Sequence, residues 1–323
     1  MKAFRRILLA VVVLVVAAPV AGWIYQRVME SRDDARFPPP GRLLDVDGHR
    51  MHIFCQGQGS PTVVVEQGVG SQSLAWAPIN ERMSAITTVC AYDRAGMGYS
   101  EPLDRPTPAT EAVRRLHTLL ERAGITDDIV LVGWSMGGIF AREYYRQFPG
   151  KVKGMVLVDS SHEQQLERLG DPDVGYVNPF RREQYLAPFG WIRLRGVIQE
   201  RFANSPLPAP IRDRLIAINL KSHMPRTMVL EGDGFRADLN ANRSPPNLGN
   251  IPLIVLSEGK PNNPFMQEHI QTWFQLQEEL AHLSTNGRHI VATQSAHAIH
   301  RTEPDLILDA VREVVSAARS DAR

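Results

Sequence analysis

The sequence lacks the marks of a nucleic-acid surface, a metal centre and a disulfide-rich scaffold. Its 323 residues carry 36 Lys and Arg against 35 Asp and Glu, and no basic run follows the first six positions, which argues against nucleic-acid binding. There are two cysteines and no pair of histidines at zinc-ligand spacing beside a third ligand, so we expect neither a metal nor a cofactor. What remains is an ordinary globular composition, 43% hydrophobic, with enough apolar residues for a large core.

The longest stretch without charge lies at the N-terminus. A short basic segment precedes residues 7–25, which contain no charged side chain, and that order is typical of a secretory signal or a signal anchor. Because Pro19 makes the candidate cleavage sites poor, we expect an uncleaved N-terminal transmembrane helix over residues 7–25. Residues 1–41 then form a cytoplasmic tip, an anchor and a linker, with the remaining chain on the exported (periplasmic or extracellular) side. The alternative is secretion after signal cleavage.

The rest of the chain alternates short apolar runs with segments of helical spacing. The strand-like runs are residues 42–46, 50–55, 62–66, 87–92, 129–132, 153–159, 251–257 and 289–292. Asp47-Gly48 separates the first two runs and predicts a hairpin. Strands that alternate with helices indicate a mostly parallel eight-stranded sheet with helices on both faces.

Residues 161–249 break this alternation. They contain no run typical of a buried strand and are rich in Pro, Arg, Asn and Met. A loop of this length without regular structure is uncommon in a compact domain, so we predict a mainly helical cap inserted after the sixth strand. The predicted domains are thus a core of residues 42–160 and 250–323 and a cap of residues 161–249.

The fifth apolar run leads into Gly133-Trp134-Ser135-Met136-Gly137, and a segment of helical character follows. A Gly-x-Ser-x-Gly turn between a strand and a helix is the layout of a nucleophile elbow, which lifts the serine hydroxyl above the edge of the sheet. Gly133 and Gly137 are expected to be glycine because the strained serine backbone crowds the residues two before and two after it. A plain Gly-rich turn fits the same five residues, so the surrounding sequence has to decide.

Several separated motifs, in the right order, make the sequence resemble the α/β-hydrolase fold over roughly residues 42–319. They are Gln67-Gly68-Val69-Gly70, Asp93-Arg94-Ala95-Gly96-Met97-Gly98-Tyr99-Ser100, the Ser135 turn, and Ala296-His297 shortly before Glu303-Pro304. An anchor followed by a single hydrolase domain also resembles a group of bacterial, membrane-anchored or exported serine hydrolases of mostly unassigned substrate. Membership of the fold does not determine the reaction.

The resemblance implies a role for several residues. Ser135 is the nucleophile, and His297, on the loop after the last strand, is the general base that activates it. His300, three residues on, is the rival base. The backbone N–H groups of Met136 and Val69 form the oxyanion hole for the tetrahedral intermediate.

The triad acid is left open between two residues. Many members of the family carry an Asp after the seventh strand, where this sequence has none. Other members place the acid after the sixth strand, where Asp159 stands, and Glu258 is the alternative at the end of the seventh. Either carboxylate suits the role, since a triad is defined by geometry and not by sequence position. Asp93 and Arg94 are expected to brace the loop beside the elbow.

The two cysteines fall on the second and fourth strands, which neighbour each other in this fold. Export would make a disulfide between Cys55 and Cys90 chemically possible. The restrictive geometry between parallel strands favours two buried thiols instead.

These features predict a serine hydrolase that cleaves carboxylic esters through an acyl-enzyme on Ser135, with a small, apolar ester as its substrate. An acyltransferase, an amidase or a lactonase would use the same triad. A non-catalytic hydrolase-fold binding protein is the alternative from another class, which the uncertain acid keeps open. The oligomeric state does not follow from the sequence.

Overall fold

The computed structural model describes residues 2–170, 178–241 and 244–321. All eight predicted strands are present, with ends that differ from the expected ones by a few residues. The strands are β1 (Arg42–Val46), β2 (His49–Gln56), β3 (Thr62–Glu66), β4 (Val89–Tyr92), β5 (Ile129–Trp134), β6 (Val152–Val158), β7 (Leu253–Glu258) and β8 (Gly287–Ala292).

The eight strands form one sheet in the order β1-β2-β4-β3-β5-β6-β7-β8. β2 pairs antiparallel with β1 and β4, and the remaining pairs are parallel. The predicted hairpin joins β1 to β2, and both Asp47 (φ 54°) and Gly48 (φ 78°) have the positive φ of a type I′ turn. β3 neighbours β4 on one side and β5 on the other, which makes its carboxyl end a topological switch point, the usual position of a site in such sheets.

Helices account for most of the remaining described residues. They are α1 (Lys2–Arg36), α2 (Ala77–Met83), α3 (Ala109–Ala123), α4 (Met136–Gln147), α5 (Gln165–Leu169), α6 (Asn178–Leu186), α7 (Trp191–Arg195), α8 (Val197–Phe202), α9 (Ala209–Asn219), α10 (Met224–Asn240), α11 (Pro264–Ala281), α12 (Ile299–Thr302) and α13 (Pro304–Asp321). Between β6 and β7, the described stretches contain helices and no strand.

Helices cover both faces of the sheet. α3 buries Val113, Leu116 and Leu120 at helical spacing, and these side chains share a core cluster with Leu131 of β5. On the opposite face, α13 lies so close to β6 that a Cβ atom at Gly154 would overlap the Val314 side chain. With apolar residues packed on both faces, the central strands are continuous buried runs, as is typical of parallel sheets.

The two cysteines form a disulfide between β2 and β4. The expectation of two thiols was wrong because it assumed parallel strands. β2 runs antiparallel to β4, and Cys55 stands directly opposite Cys90 in the register. An opposed antiparallel pair brings the two Cβ atoms close together, and the Cα atoms here are 4.1 Å apart.

The N-terminal segment forms one long helix, α1, which includes Pro19. No helix in the part of the chain that the structure describes combines the length and the apolarity needed to cross a bilayer. The transmembrane helix expected over residues 7–25 is therefore not supported.

The chain divides into two compact units, one of Met1–Pro39 and Tyr176–Val229 and the other of Pro40–Gly175 and Leu230–Arg323. Within the first unit, Gln26 of α1 donates to the carbonyl oxygen of Leu220 at 2.7 Å. The second unit contains the whole sheet and the predicted catalytic residues. The domain limits expected from the sequence stay a prediction.

Candidate active site

Ser135 occupies the sharp turn between β5 and α4. Its backbone has φ 55° and ψ −126°, a region that L-residues rarely adopt. A Cβ atom at Gly137 would overlap the carbonyl oxygen of Glu66, and one at Gly133 would lie 2.7 Å from the Cα atom of Gly138. The turn therefore has no room for side chains at these two positions, which confirms the predicted need for glycine.

Asp159 follows β6 and holds the imidazole ring of His297. Its Oδ2 atom lies 2.6 Å from Nδ1 of His297, and because a carboxylate only accepts, Nδ1 carries the proton. The Oδ1 atom accepts from the backbone N–H of Glu258 at 2.9 Å and from Nε1 of Trp273 at 2.7 Å. Asp159 also has a positive φ, 42°, so two of the site residues have strained backbones.

The His297 side chain is 47% exposed, while the carboxyl group on its Nδ1 is buried. Burial lowers the pKa of His297. The hydrogen bond and charge of Asp159, together with the charge of Glu258, raise it by more, so the pKa lies above the usual histidine value. Asp159 thus favours the protonated form of the His297 ring.

Glu258 lies beside the Asp159–His297 pair, at the end of β7. The side chain is almost fully buried, and its Oε2 atom has no hydrogen-bond partner among the described residues. Burial and the charge of Asp159 raise the pKa of Glu258 to about 7. Of the two candidate acids, Asp159 is the one hydrogen-bonded to the ring nitrogen.

Trp134, the residue before the nucleophile, links the elbow to the His297 loop. Its Nε1 atom donates to the carbonyl oxygen of His297 at 2.9 Å, and the two rings lie 5.0 Å apart. Trp134 therefore holds the loop of the predicted base against the turn of the predicted nucleophile.

His300 lies between two tryptophans. Its ring stacks on Trp76 at 4.5 Å and meets Trp134 edge-on at 4.7 Å. Burial lowers the pKa of His300 to about 3, and neither ring nitrogen has a hydrogen-bond partner in the described stretches of chain. The ring thus lacks the carboxylate that orients a general base. His162, three residues after Asp159, is also buried, and burial lowers its pKa to about 3.

The loop after β3 approaches the nucleophile. A Cβ atom at Gly68 would lie 3.0 Å from the Cβ atom of Ser135, so a side chain at this position would crowd the nucleophile. Val69 follows Gly68 on this loop, and Met136 is the first residue of α4, where a backbone N–H has no acceptor within the helix. The structure therefore places the two predicted oxyanion donors on segments that adjoin Ser135.

Asp93 and Gln67 stabilise the segments around the loop after β3 through buried hydrogen bonds. Asp93 Oδ2 lies 2.8 Å from Nδ1 of His52, and its Oδ1 atom accepts from the N–H of Ser73 at 2.8 Å. Gln67 donates through Nε2 to the carbonyl oxygen of Tyr92 at 3.1 Å. The structural role expected of Asp93 is confirmed.

Trp273 is the site residue that sequence reasoning missed. It lies on α11, 114 positions after Asp159 in the chain. Its local sequence contains no catalytic motif, and a tryptophan on a helix is normally a core residue. The hydrogen bond from its indole to Asp159 connects it to the site.

The family model for the α/β hydrolase fold matches residues 61–304, which is more than half of the chain. The chain belongs to the α/β-hydrolase fold family. Over 285 residues this hydrolase-fold chain is 28% identical to the uncharacterized protein YqjL of Bacillus subtilis (strain 168), and the alignment covers 87% of this chain and 94% of the relative.

Two solved structures share the fold. One is a thermophilic esterase from Thermogutta terrifontis with malate bound, at a TM-score of 0.58 and 19% identity, covering 85% of this chain and 97% of the esterase. The other is the enol-lactonase from Burkholderia xenovorans LB400, at a TM-score of 0.59 and 18% identity, covering 85% of this chain and 100% of the lactonase. At these identities the similarity is one of fold.

Proposed function

We propose that this α/β-hydrolase-fold protein cleaves carboxylic esters through an acyl-enzyme on Ser135. The observation that carries the proposal is the 2.6 Å contact between Asp159 Oδ2 and His297 Nδ1. A hydrogen bond from Trp134 also ties the His297 loop to the Ser135 turn. A carboxylate on Nδ1 keeps the proton there, so that Nε2 is the nitrogen available to accept the serine proton.

In the proposed reaction, Ser135 Oγ attacks the ester carbonyl carbon while its proton passes to Nε2 of His297. The carbonyl π electrons move to the oxygen, and the N–H groups of Val69 and Met136 stabilise that oxyanion. Collapse breaks the bond to the alkoxy oxygen, which leaves as an alcohol with the proton from His297. Water then attacks the acyl carbon and gives a proton to His297. The second tetrahedral intermediate collapses by breaking the bond to Oγ, which takes the proton back from His297, so that the acid and free Ser135 are released.

A small ester with apolar groups is the substrate class that we propose. The fold is shared with a protein named an esterase and with one named an enol-lactonase, and lactones and amides pass through the same tetrahedral intermediate. A panel of p-nitrophenyl esters of increasing acyl length, a lactone and an anilide tests this choice. We expect the short esters to have the highest kcat/KM; preference for the lactone or the anilide would reassign the reaction.

Labelling by a fluorophosphonate probe tests whether the protein is an enzyme. Wild type should label and Ser135→Ala should not, while Ser257→Ala, which removes a buried hydroxyl bonded to His289, should label normally. His297→Gln should abolish turnover and His300→Gln should leave most of it. An unlabelled wild type would overturn the proposal in favour of a non-catalytic binding protein.

We also infer that the hydrolase works on the exported side and is retained at the membrane by its N-terminal helix. The support is the Cys55–Cys90 disulfide, a bond that persists in oxidising compartments, together with exposed apolar side chains on α1, such as Val16 and Trp23. Fractionation should find the oxidised protein with membranes after a high-salt wash. A shortened soluble form would mean secretion, and reduced cysteines in vivo would contradict export.

A further inference from the structure

Arg94 is a buried arginine behind the loop after β3. Its guanidinium donates from Nη1 to the carbonyl oxygen of Gln67 and from Nη2 to that of Gly68, each at 2.8 Å. Its Nε atom donates to Glu231 at 2.7 Å, and Glu66 lies 3.6 Å from Nη1. Only 7% of the residue is exposed, so the charge is compensated by these two carboxyl groups and not by water.

The two carbonyl contacts determine which way the next N–H group points. The Gly68–Val69 peptide is trans, and in a planar trans peptide the C=O and N–H bonds point in opposite directions. Arg94 holds the Gly68 carbonyl on its own side, with a second hydrogen bond from the N–H of Ser71 at 3.2 Å. The N–H of Val69 must then face away from Arg94.

The same network fixes the far end of the loop. Glu231, on α10, accepts from the backbone N–H of Gly70 at 2.5 Å through Oε2, while its Oε1 atom accepts from Arg94. Residues 67 and 68 are thus held by their carbonyl groups and residue 70 by its N–H group. Val69 lies between the two attachments, so its peptide has little freedom to rotate.

We propose that Arg94, supported by Glu231, is a positioning residue that aligns the Val69 N–H with the oxyanion of the transition state. The inference rests on the proposed function, because it assigns a purpose to the orientation of an N–H group in an acyl-transfer site. Arg94 does not touch the substrate in this role; it acts through the Gly68–Val69 peptide.

The role calls for arginine in particular. The guanidinium presents five N–H donors in a rigid planar fork, and here the fork meets two successive carbonyl groups and a carboxylate at once. A lysine ammonium is a point charge on a flexible stem and would preserve the charge but not the three fixed directions. Arg94→Lys therefore separates alignment from electrostatics.

The test compares an ester with its thionoester in wild type, Arg94→Lys and Glu231→Gln. Sulfur is a weak hydrogen-bond acceptor, so correct alignment of the oxyanion donors benefits the oxo ester far more than the thiono ester. Loss of one oxyanion donor typically lowers kcat about 100-fold or more. We expect Arg94→Lys to lose on the order of 10²-fold in kcat for the oxo ester, with little change in KM and a much smaller loss for the thiono ester. Glu231→Gln should show the same pattern more weakly.

Arg115→Gln is the matched control, because Arg115 is equally buried but is ion-paired to Glu111 on α3, away from the loop. Arg115→Gln should lower the stability of the protein and leave the ratio of kcat for the oxo ester to kcat for the thiono ester unchanged. Equal losses on both esters in the Arg94 and Glu231 variants would overturn the inference and leave the proposed function standing. Failure of the proposed function is a separate result: no Ser135-dependent hydrolysis by wild type.

Discussion

At the scale of the residue, the proposed chemistry depends on which of two carboxyl groups, at the ends of neighbouring strands, is hydrogen-bonded to the ring of His297. β6 and β7 run parallel, so Asp159 and Glu258 come out at the same edge of the sheet. Asp159 is bonded to His297 through one oxygen and to Trp273 through the other. Glu258 is buried beside them and has its pKa raised to about 7 by burial and by the charge of Asp159.

The two carboxyl groups should respond differently to amide substitution. Asp159→Asn places an amide where the ring needs an acceptor, so we expect kcat to fall by on the order of 10³–10⁴-fold. Glu258→Gln should leave kcat, measured near neutral pH, within a few-fold of the wild-type value. The measurement is steady-state ester hydrolysis, and the reverse order of effects would make Glu258 the acid.

The pH profile should report the charge of Glu258. A general base acts in its neutral form, so in the proposed reaction kcat/KM should fall as the pH drops through the pKa of His297. That pKa is raised, and the acid limb should therefore have its midpoint above the ordinary histidine value. Glu258→Gln removes a negative charge that favours the imidazolium, so the midpoint should move to lower pH. A midpoint that stays in place would mean that Glu258 does not interact with the ring.

At the scale of the element, antiparallel pairing at one edge of the sheet decides the state of the cysteines. β2 joins the sheet through β4, and the register sets Cys55 opposite Cys90. The disulfide joins two residues that are 35 positions apart, and the loop that it closes contains all of β3 and α2.

Reduction should destabilise the sheet unit. A loop of 35 residues corresponds to a contribution of about 3–4 kcal/mol in the chain-entropy model. The wild-type Tm should therefore fall when a phosphine reductant is added, whereas the Cys55→Ser, Cys90→Ser double variant should have a low Tm with or without it. An unchanged Tm after complete reduction, verified by mass spectrometry, would count against this account.

At the scale of the whole molecule, one of the two compact units is assembled from segments far apart in the sequence. α1 packs against residues 187–190, where a Cβ atom at Gly22 would lie 2.5 Å from the carbonyl oxygen of Phe189. Glu30 of α1 also accepts from the N–H of Ser222 at 2.5 Å. The helices between residues 178 and 222 should therefore depend on α1 for stability.

Gly22→Val tests that dependence. The added side chain meets backbone that cannot move aside, and overpacking of this kind costs about 1–3 kcal/mol. Amide hydrogen exchange should become faster in α1 and in residues 187–222, with no change in β3 or β5. Gly150→Val is the control, because nothing lies within 4 Å of a Cβ atom at Gly150. Equal acceleration in the strands would mean that the two units unfold together.

The sequence was sufficient for the features that depend on local order along the chain. Alternating apolar runs predicted eight strands, Asp47-Gly48 predicted the hairpin, and the glycines around Ser135 predicted a turn too tight for side chains. Each of these is encoded in a few adjacent residues, because strand period, turn conformation and backbone crowding act over short distances.

Tertiary structure alone decided the features that depend on contacts between distant residues. The Asp159–His297 bond spans 138 positions and the Arg94–Glu231 bond spans 137, and no local pattern records such partners. The disulfide likewise followed from the direction of β2, which the periodicity of a strand does not reveal. The proposed nucleophile could therefore be predicted from the Ser135 turn and the motifs around it, whereas the proposed acid could be chosen only once folding had brought β6, β7 and the His297 loop to one edge of the sheet.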